Sequence, residues 1–259
     1  MNTDYYYQNL YFDDVNHFIS NGFPLDTFHR LGRGIKPIGS VESLKLYNAL
    51  YAGHHIAKFK VILPFCSNYM KKDTKYTIVD WACGQGLATS MLIDYLKSLN
   101  MLGSIENVIL IEPSYLATNR AVEILNKQLY QSHLSNSNIF TVNKRFEYVD
   151  SSDIRINQKS NYIHLFSNAL DTNIESINNV MRIIKKVEKS SLIAATSPNY
   201  PLTVNAYKKM KDYLFETNIE DISNNTGVVR GMIYLLKYRG WSHYNISYNQ
   251  SIIELDNNE

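Results

Sequence analysis

The sequence predicts an α/β protein in which a doubly wound parallel sheet carries helices on both faces. Short apolar runs rich in β-branched and aromatic residues alternate with longer runs whose apolar residues recur at three- and four-residue steps. One strand-to-helix junction is a turn containing glycines that follows an acidic residue, and the next predicted strand also ends in an acid. With 259 residues, 45% of them hydrophobic, the chain is long enough to bury the core of such a sheet.

The segment ahead of the first predicted strand contains two predicted helices. The first is aromatic and polar and ends at Asn21-Gly22. The second covers about residues 40–61, and its spacing places Tyr47, Tyr51 and His54 on one face. His54 is at least equally well interpreted as an ordinary helix residue.

The loop between these two helices holds three cations, Arg30, Arg33 and Lys36, and two glycines. A flexible basic loop of this kind can contact phosphate groups. Solvated surface loops commonly have the same composition, so an ordinary exposed loop is the alternative interpretation.

The junction between the first strand and its helix is the most informative stretch of the chain. Residues 76–79 are apolar and rich in β-branched side chains, which predicts a buried strand, and residues 87–99 have helical spacing. The turn between them reads Asp80-Trp81-Ala82-Cys83-Gly84-Gln85-Gly86. Glycines let a ligand approach the main chain beside the free N–H groups of a helix N-terminus. The turn therefore predicts a ligand site, with Cys83 as a small packing residue in it.

The position of Asp80 distinguishes two classes of ligand. A dinucleotide site has the pattern G-x-G-x-x-G and holds pyrophosphate at the helix N-terminus. Here Thr89 occupies the place of the third glycine, and a carboxylate at the strand end would repel pyrophosphate. The same carboxylate would attract an ammonium group, which favours a cationic ligand.

A second strand is predicted at Val108-Ile109-Leu110-Ile111-Glu112, and it also ends in an acid. A carboxylate at this strand tip can accept hydrogen bonds from both hydroxyls of a ribose. The alternative is an acid that stabilises the N-terminus of the following helix through its dipole.

Five further strands and two further helices follow along the chain. The strands are predicted at residues 138–142, 162–166, 191–196, 227–238 and 244–255, and the helices at residues 174–187 and 207–215.

Composition excludes several classes of function. The net charge is only +2, which does not predict a general affinity for polyanions. The two cysteines, Cys66 and Cys83, have neither disulfide nor zinc-site spacing. No basic start followed by an apolar core, and no apolar run of membrane-spanning length, is present. We therefore expect a cytoplasmic protein without a metal or a membrane partner.

The turn at residues 80–86 closely resembles the acid-x-G-x-G-x-G motif of class I S-adenosylmethionine-dependent methyltransferases, with Ala82 in place of the first glycine. The resemblance implies a mostly parallel, seven-stranded Rossmann-like sheet with an antiparallel final strand. It also implies an N-terminal helical cap, which we place at residues 1–72, ahead of a core at residues 73–259. The implied cofactor is S-adenosylmethionine.

The resemblance also assigns roles to individual residues. The turn would hold the amino-acid end of the cofactor, Glu112 its ribose and Phe146 its adenine. Polar residues after the fourth strand would face the methyl acceptor, and a histidine or an aspartate would remove its proton. The cofactor-binding set is thus Asp80, Ala82, Cys83, Gly84, Gly86, Glu112, Phe146 and Ser167, and the catalytic set is Asn168, Asp171 and His54.

The implied reaction is methyl transfer to a substrate nucleophile. RNA is slightly favoured as the acceptor because of the basic loop and the 20 tyrosines, with a small metabolite or a protein side chain as the alternatives. A non-catalytic interaction or sensor subunit that keeps the fold is the second hypothesis. A nicotinamide-dependent oxidoreductase is the third, and Asp80 disfavours it.

Overall fold

The computed structural model describes residues 4–34, 37–130, 138–154, 160–170, 176–186, 190–214 and 219–255. Seven strands form one sheet. They are β1 (Tyr76–Trp81), β2 (Ile105–Ile111), β3 (Ile139–Val142), β4 (Asn161–Ser167), β5 (Ser191–Pro198), β6 (Ile219–Leu235) and β7 (Gly240–Leu255).

The sheet has the strand order β3-β2-β1-β4-β5-β7-β6. The strands from β1 to β5 are parallel, and β7 pairs antiparallel with both β5 and β6. The chain builds outward from β1 to β3 and then crosses to β4 on the other side of β1. The predicted doubly wound, mostly parallel seven-stranded sheet is therefore confirmed, and its order reverses between β1 and β4, where open α/β sheets bind ligands.

Eight α-helices are described. They are α1 (Tyr6–Asn21), α2 (Leu25–Arg30), α3 (Val41–Phe59), α4 (Leu63–Tyr69), α5 (Leu87–Ser98), α6 (Tyr115–Tyr130), α7 (Ile177–Lys185) and α8 (Pro201–Leu214). Side chains of β1 alternate between the two faces of the sheet. Ile78 packs with residues of α3, α5 and α6, whereas Val79 packs with residues of α7 and α8. The sheet is thus covered on both faces, as the alternation of elements predicts.

The last two strands are longer than the sequence predicts. The predicted strands begin at Gly227 and Tyr244, whereas β6 begins at Ile219 and β7 at Gly240. Their ladder continues without a break from Thr226 to Leu235, well past the point where β5 ends at Pro198. Cross-strand pairing extends strands through polar positions that the apolar pattern leaves out.

The protruding end of this hairpin holds the N-terminal helices. Gly231 lies so close to α3 that a Cβ atom there would stand 2.7 Å from the Cβ of Ala57. The backbone N–H of Tyr234 donates to the hydroxyl of Tyr11 at 2.9 Å, and the ring of Trp241 packs edge-on against Tyr11 with centroids 5.6 Å apart. The hairpin therefore fixes α1 and α3 at the carboxyl end of the parallel strands.

A buried polar group joins α1, α3 and α6. Asp14 accepts a hydrogen bond from the Asn48 amide at 2.7 Å and one from the Arg120 guanidinium at 2.6 Å. Burial raises the pKa of Asp14, and the nearby Arg120 charge opposes that shift.

The division of the chain at residue 72 stays a prediction. In the part of the chain that the structure describes, none of the helices has the length and apolarity needed to span a membrane.

Candidate active site

Three residues of the turn after β1 have left-handed backbone angles. The φ values are +54° at Ala82, +53° at Gly84 and +80° at Gly86. The conformation costs a non-glycine residue about 1–2 kcal/mol, so Ala82 carries strain. At Gly86 a Cβ atom would stand 2.9 Å from the Cβ of Ala121, whereas at Gly84 it would meet nothing within 4 Å. Gly86 thus lets α6 pack against the turn, and Gly84 leaves space open beside it.

Asp80 supports this turn from behind. Its side chain is fully buried, and Oδ2 accepts hydrogen bonds from the backbone N–H of Thr89 at 3.2 Å and from the Thr89 hydroxyl at 2.7 Å. Oδ1 has no hydrogen-bond partner among the described residues. Burial raises the pKa of Asp80 to about 7, although the Thr89 bonds lower it. The carboxyl therefore braces the first turn of α5 rather than lining the neighbouring cavity.

Glu112 follows β2 and does line that cavity. Its Oε1 accepts a hydrogen bond from the backbone N–H of Ser114 at 3.0 Å. Burial raises the pKa of Glu112, while hydrogen bonds from the backbone of Ser114 and Gly84 oppose the shift. Ser114 also accepts a hydrogen bond from the Ala117 N–H at 3.3 Å. A serine therefore caps α6, and Glu112 presents a carboxylate to the cavity.

The cavity has a volume of about 110 Å³ and crosses the carboxyl ends of β1, β2 and β4. One wall is the turn with Glu112, another is the end of β4, and the side chains of α3 close it from above. Its lining residues are Tyr7, Gly34, Ile38, Leu44, Tyr47, Asn48, Ala52, His55, Ala82, Cys83, Gly84, Gln85, Leu87, Ala88, Glu112, Ser114, Ala117, Ser167, Asn168 and Ala169.

The end of β4 is held by a lysine that the sequence analysis missed. Asn168 has a left-handed φ of +58°, and its N–H donates to the Thr196 carbonyl at 2.8 Å. Its side-chain amide donates to the Ser167 hydroxyl at 3.1 Å, and the Lys58 ammonium donates to its Oδ1. Lys58 is only 2% exposed although it is a lysine in the apolar part of α3. A lysine within such an apolar stretch is the signal that could have identified it.

Helix α3 presents His55, and not His54, to the cavity. His55 follows Asn48 and Ala52 along one helical stripe, and all three line the cavity. The predicted residue His54 instead packs against Tyr244 of β7, with ring centroids 6.2 Å apart. Burial lowers the pKa of His54, and the charge of Lys58 lowers it further by a smaller amount.

The ring of Phe146 does not line the cavity. It is buried and packs edge-on against Trp81, with centroids 5.8 Å apart.

Asp171 and Lys36 lie outside the residues that the structure describes, as do the side chains of Arg30 and Arg33. Within the described ranges no cluster of three or more histidine, cysteine or acidic side chains could hold a metal ion.

The structure has a seven-stranded sheet with an antiparallel seventh strand, a left-handed turn after β1 and an acid after β2. The chain has the fold of a class I S-adenosylmethionine-dependent methyltransferase. The motif at residues 80–86 forms the turn that the resemblance implies, and Ala82, where the motif has a glycine, adopts a left-handed angle that glycine adopts readily.

No family model matches the sequence, and no curated protein matches it. Solved structures of the methyltransferase fold do match. One is an S-adenosylmethionine-dependent methyltransferase from Anabaena variabilis, with 12% identity, coverage of 98% of this chain and 96% of that one, and a TM-score of 0.47. The YcgJ protein from Bacillus subtilis has 7% identity, coverage of 77% and 99%, and a TM-score of 0.48.

The small RNA methyltransferase HEN1 is a third match, with 14% identity, coverage of 76% of this chain and 25% of that one, and a TM-score of 0.48. At such identities and scores we draw no conclusion from these proteins about the reaction or its acceptor. The assignment of the methyltransferase fold rests on the sheet and the turn of this chain.

Proposed function

We propose that the chain binds S-adenosylmethionine in this cavity and transfers its methyl group to an acceptor at the end of β4. One observation carries the proposal. A single cavity is bordered by the left-handed turn after β1, by the half-buried carboxyl group of Glu112 and by residues 167–169 at the end of β4. It therefore lies at the carboxyl ends of the strands on both sides of the point where the strand order reverses.

The residues present fit this cofactor. Glu112 would accept hydrogen bonds from the ribose hydroxyls beside those that the backbone of Ser114 and Gly84 donates to it, because a carboxylate has about four acceptor positions. The open space beside Gly84 would admit the amino-acid portion against the backbone of the turn. A negative charge on Asp80, directly behind the turn, would favour the ammonium group. An adenine contact by Phe146 would require its ring to leave Trp81, so Phe146 has no support as a base-stacking residue.

Bound there, S-adenosylmethionine would supply a methyl group on a positively charged sulfur atom. The contribution of the protein is then to align the acceptor and to exclude water. Lys58 holds Asn168 by its Oδ1, which fixes the wall at the end of β4. Helix α3 covers the cavity, so that an acceptor between α3 and β4 would be sheltered from solvent.

The sequence favours RNA as the acceptor through Arg30, Arg33 and Lys36. Because those side chains lie outside the described residues, this part stays a prediction from the sequence. It is tested by retention of RNA that weakens as salt increases. The second hypothesis, a non-catalytic sensor or subunit, predicts cofactor binding without transfer to any acceptor.

The experiment that tests cofactor binding is calorimetric titration of the wild-type chain with S-adenosylmethionine and S-adenosylhomocysteine. We expect both to bind, and Glu112→Gln to weaken both by about 10- to 100-fold, because hydrogen bonds to a charged acceptor contribute about 1.5–3 kcal/mol. Glu123→Gln is the matched control, since Glu123 is exposed on the neighbouring helix α6. Absence of binding by the folded wild-type chain would overturn the proposal.

A further inference from the structure

The turn after β1 contributes a buried side-chain amide to the cavity wall. Gln85 lines the cavity and is only 5% exposed, and its Nε2 donates to the main-chain carbonyl of Leu44, near the start of α3, at 2.9 Å. Its Oε1 has no hydrogen-bond partner among the described residues, which is rare for a buried amide oxygen. Because the amide nitrogen must face the Leu44 carbonyl, the oxygen cannot exchange places with it. The wall therefore holds a fixed acceptor for an N–H or O–H group.

Helix α1 contributes a phenol to the same cavity. Tyr7 lines the cavity and is 2% exposed. Burial raises the pKa of Tyr7, the positive charge of Arg120 opposes that shift, and Cys83 of the turn adds to it. The Tyr7 hydroxyl is therefore protonated at neutral pH, and it lies near both the turn and Arg120. It can donate a hydrogen bond to an acceptor in the cavity.

Arg120 of α6 supplies a positive charge near Tyr7. Its Nη2 donates to Asp14 at 2.6 Å, whereas its Nη1 is buried and has no hydrogen-bond partner in the described part of the chain. A guanidinium group has five N–H donors, so the bond to Asp14 leaves others available. A negatively charged group beside the Tyr7 hydroxyl would be stabilised by this charge.

An acceptor on one side and a donor supported by a positive charge on the other are complementary to an α-amino acid, whose ammonium group donates and whose carboxylate accepts. We propose that Gln85 and Tyr7 recognise the amino-acid portion of the cofactor: Gln85 Oε1 accepts a hydrogen bond from the ammonium group, and the Tyr7 hydroxyl, with Arg120 near it, donates to the carboxylate. The inference rests on the proposed function. Asp80 lies behind the turn, so Gln85 makes the direct contact with the ammonium group, and α1 completes the site.

Three ligands separate these contacts in calorimetric titrations of the wild-type and variant chains. S-adenosylhomocysteine carries both groups, decarboxylated S-adenosylmethionine carries the ammonium group alone, and 5′-methylthioadenosine carries neither. We expect Tyr7→Phe to weaken binding of S-adenosylhomocysteine by about 10-fold or more and to leave the other two ligands unchanged. Gln85→Met should weaken the first two ligands by a similar factor and leave 5′-methylthioadenosine unchanged.

Two control variants make the same chemical changes outside the cavity. Tyr6→Phe removes a phenol hydroxyl from the neighbouring position of α1, where the side chain packs against the core. Gln128→Met removes a buried amide of α6 that donates to the Ser90 carbonyl at 3.3 Å. Both controls should bind all three ligands as the wild-type chain does.

Equal weakening of all three ligands by Tyr7→Phe and Gln85→Met would mean that the two side chains act only through packing, and it would overturn the inference. Unchanged affinity of both variants for S-adenosylhomocysteine would overturn it too. Either result would leave cofactor binding standing. If the wild-type chain bound none of the three ligands, the proposed function would be wrong, and the inference with it.

Discussion

Replacing Asp80 by asparagine should stabilise the protein at alkaline pH. Burial raises the pKa of this carboxyl from 3.8 to about 7 in the folded chain, so between these values the folded state holds a proton that the unfolded state releases. The proton contributes its full stabilisation at pH values below the pKa that Asp80 has in the unfolded chain. This stabilisation declines as the pH rises through the folded pKa, by about 1.4 kcal/mol per pH unit and by about 4 kcal/mol in total.

Asparagine has the shape of the protonated carboxyl but does not titrate. Its amide oxygen can accept both hydrogen bonds that Thr89 now donates to Oδ2. Its amide N–H group would occupy the position of Oδ1, which has no hydrogen-bond partner in the described part of the chain, and this costs about 1–3 kcal/mol. We therefore expect Asp80→Asn to be more stable than wild type by roughly 1–3 kcal/mol near pH 8, and this difference to vanish or reverse near pH 5.

The assay is urea denaturation of both proteins across this pH range, with the difference in unfolding free energy plotted against pH. The difference is the relevant quantity because His164 is also buried, and its lowered pKa affects both proteins alike. Asp212→Asn, on the exposed side of α8, is the control and should follow wild type. Parallel profiles for wild type and Asp80→Asn would refute the reasoning. The same substitution should weaken S-adenosylmethionine binding, because it removes the charge behind the turn.

Two further predictions concern the turn and the buried polar group. Ala82→Gly relieves a left-handed residue and should change the unfolding free energy by no more than about 1 kcal/mol, whereas Gly86→Ala should cost at least about 2 kcal/mol because its Cβ would meet Ala121. Urea denaturation measures both, and equal effects would contradict the backbone argument. Arg120→Met should destabilise the chain by about 3 kcal/mol, since it leaves the Asp14 charge buried without its partner. The double variant with Asp14→Leu should recover part of this loss in thermal denaturation, and simple additivity of the two changes would count against a coupled pair.

The sequence by itself determined the features that depend on neighbouring residues. A run of β-branched residues, a turn containing glycines and a helical stripe follow one another at residues 76–99, and the structure contains the strand, turn and helix there. The acid Glu112 could also be predicted from the sequence, because a strand end and the start of the following helix are both local signals. The motif also marked Ala82 as an alanine where the family has a glycine, and the structure adds that its backbone angle is left-handed.

Only the tertiary structure decided which side chains meet. His54 and His55 are adjacent in sequence but point about 100° apart around α3, so their roles depend on how the helix is rotated against the sheet. The contact between Lys58 and Asn168 joins residues 110 positions apart, and Asp80 faces Thr89 rather than the cavity. Helix rotation and long-range pairing are set by packing among α1, α3 and the β6–β7 hairpin, and the periodicity of a single segment carries no information about them.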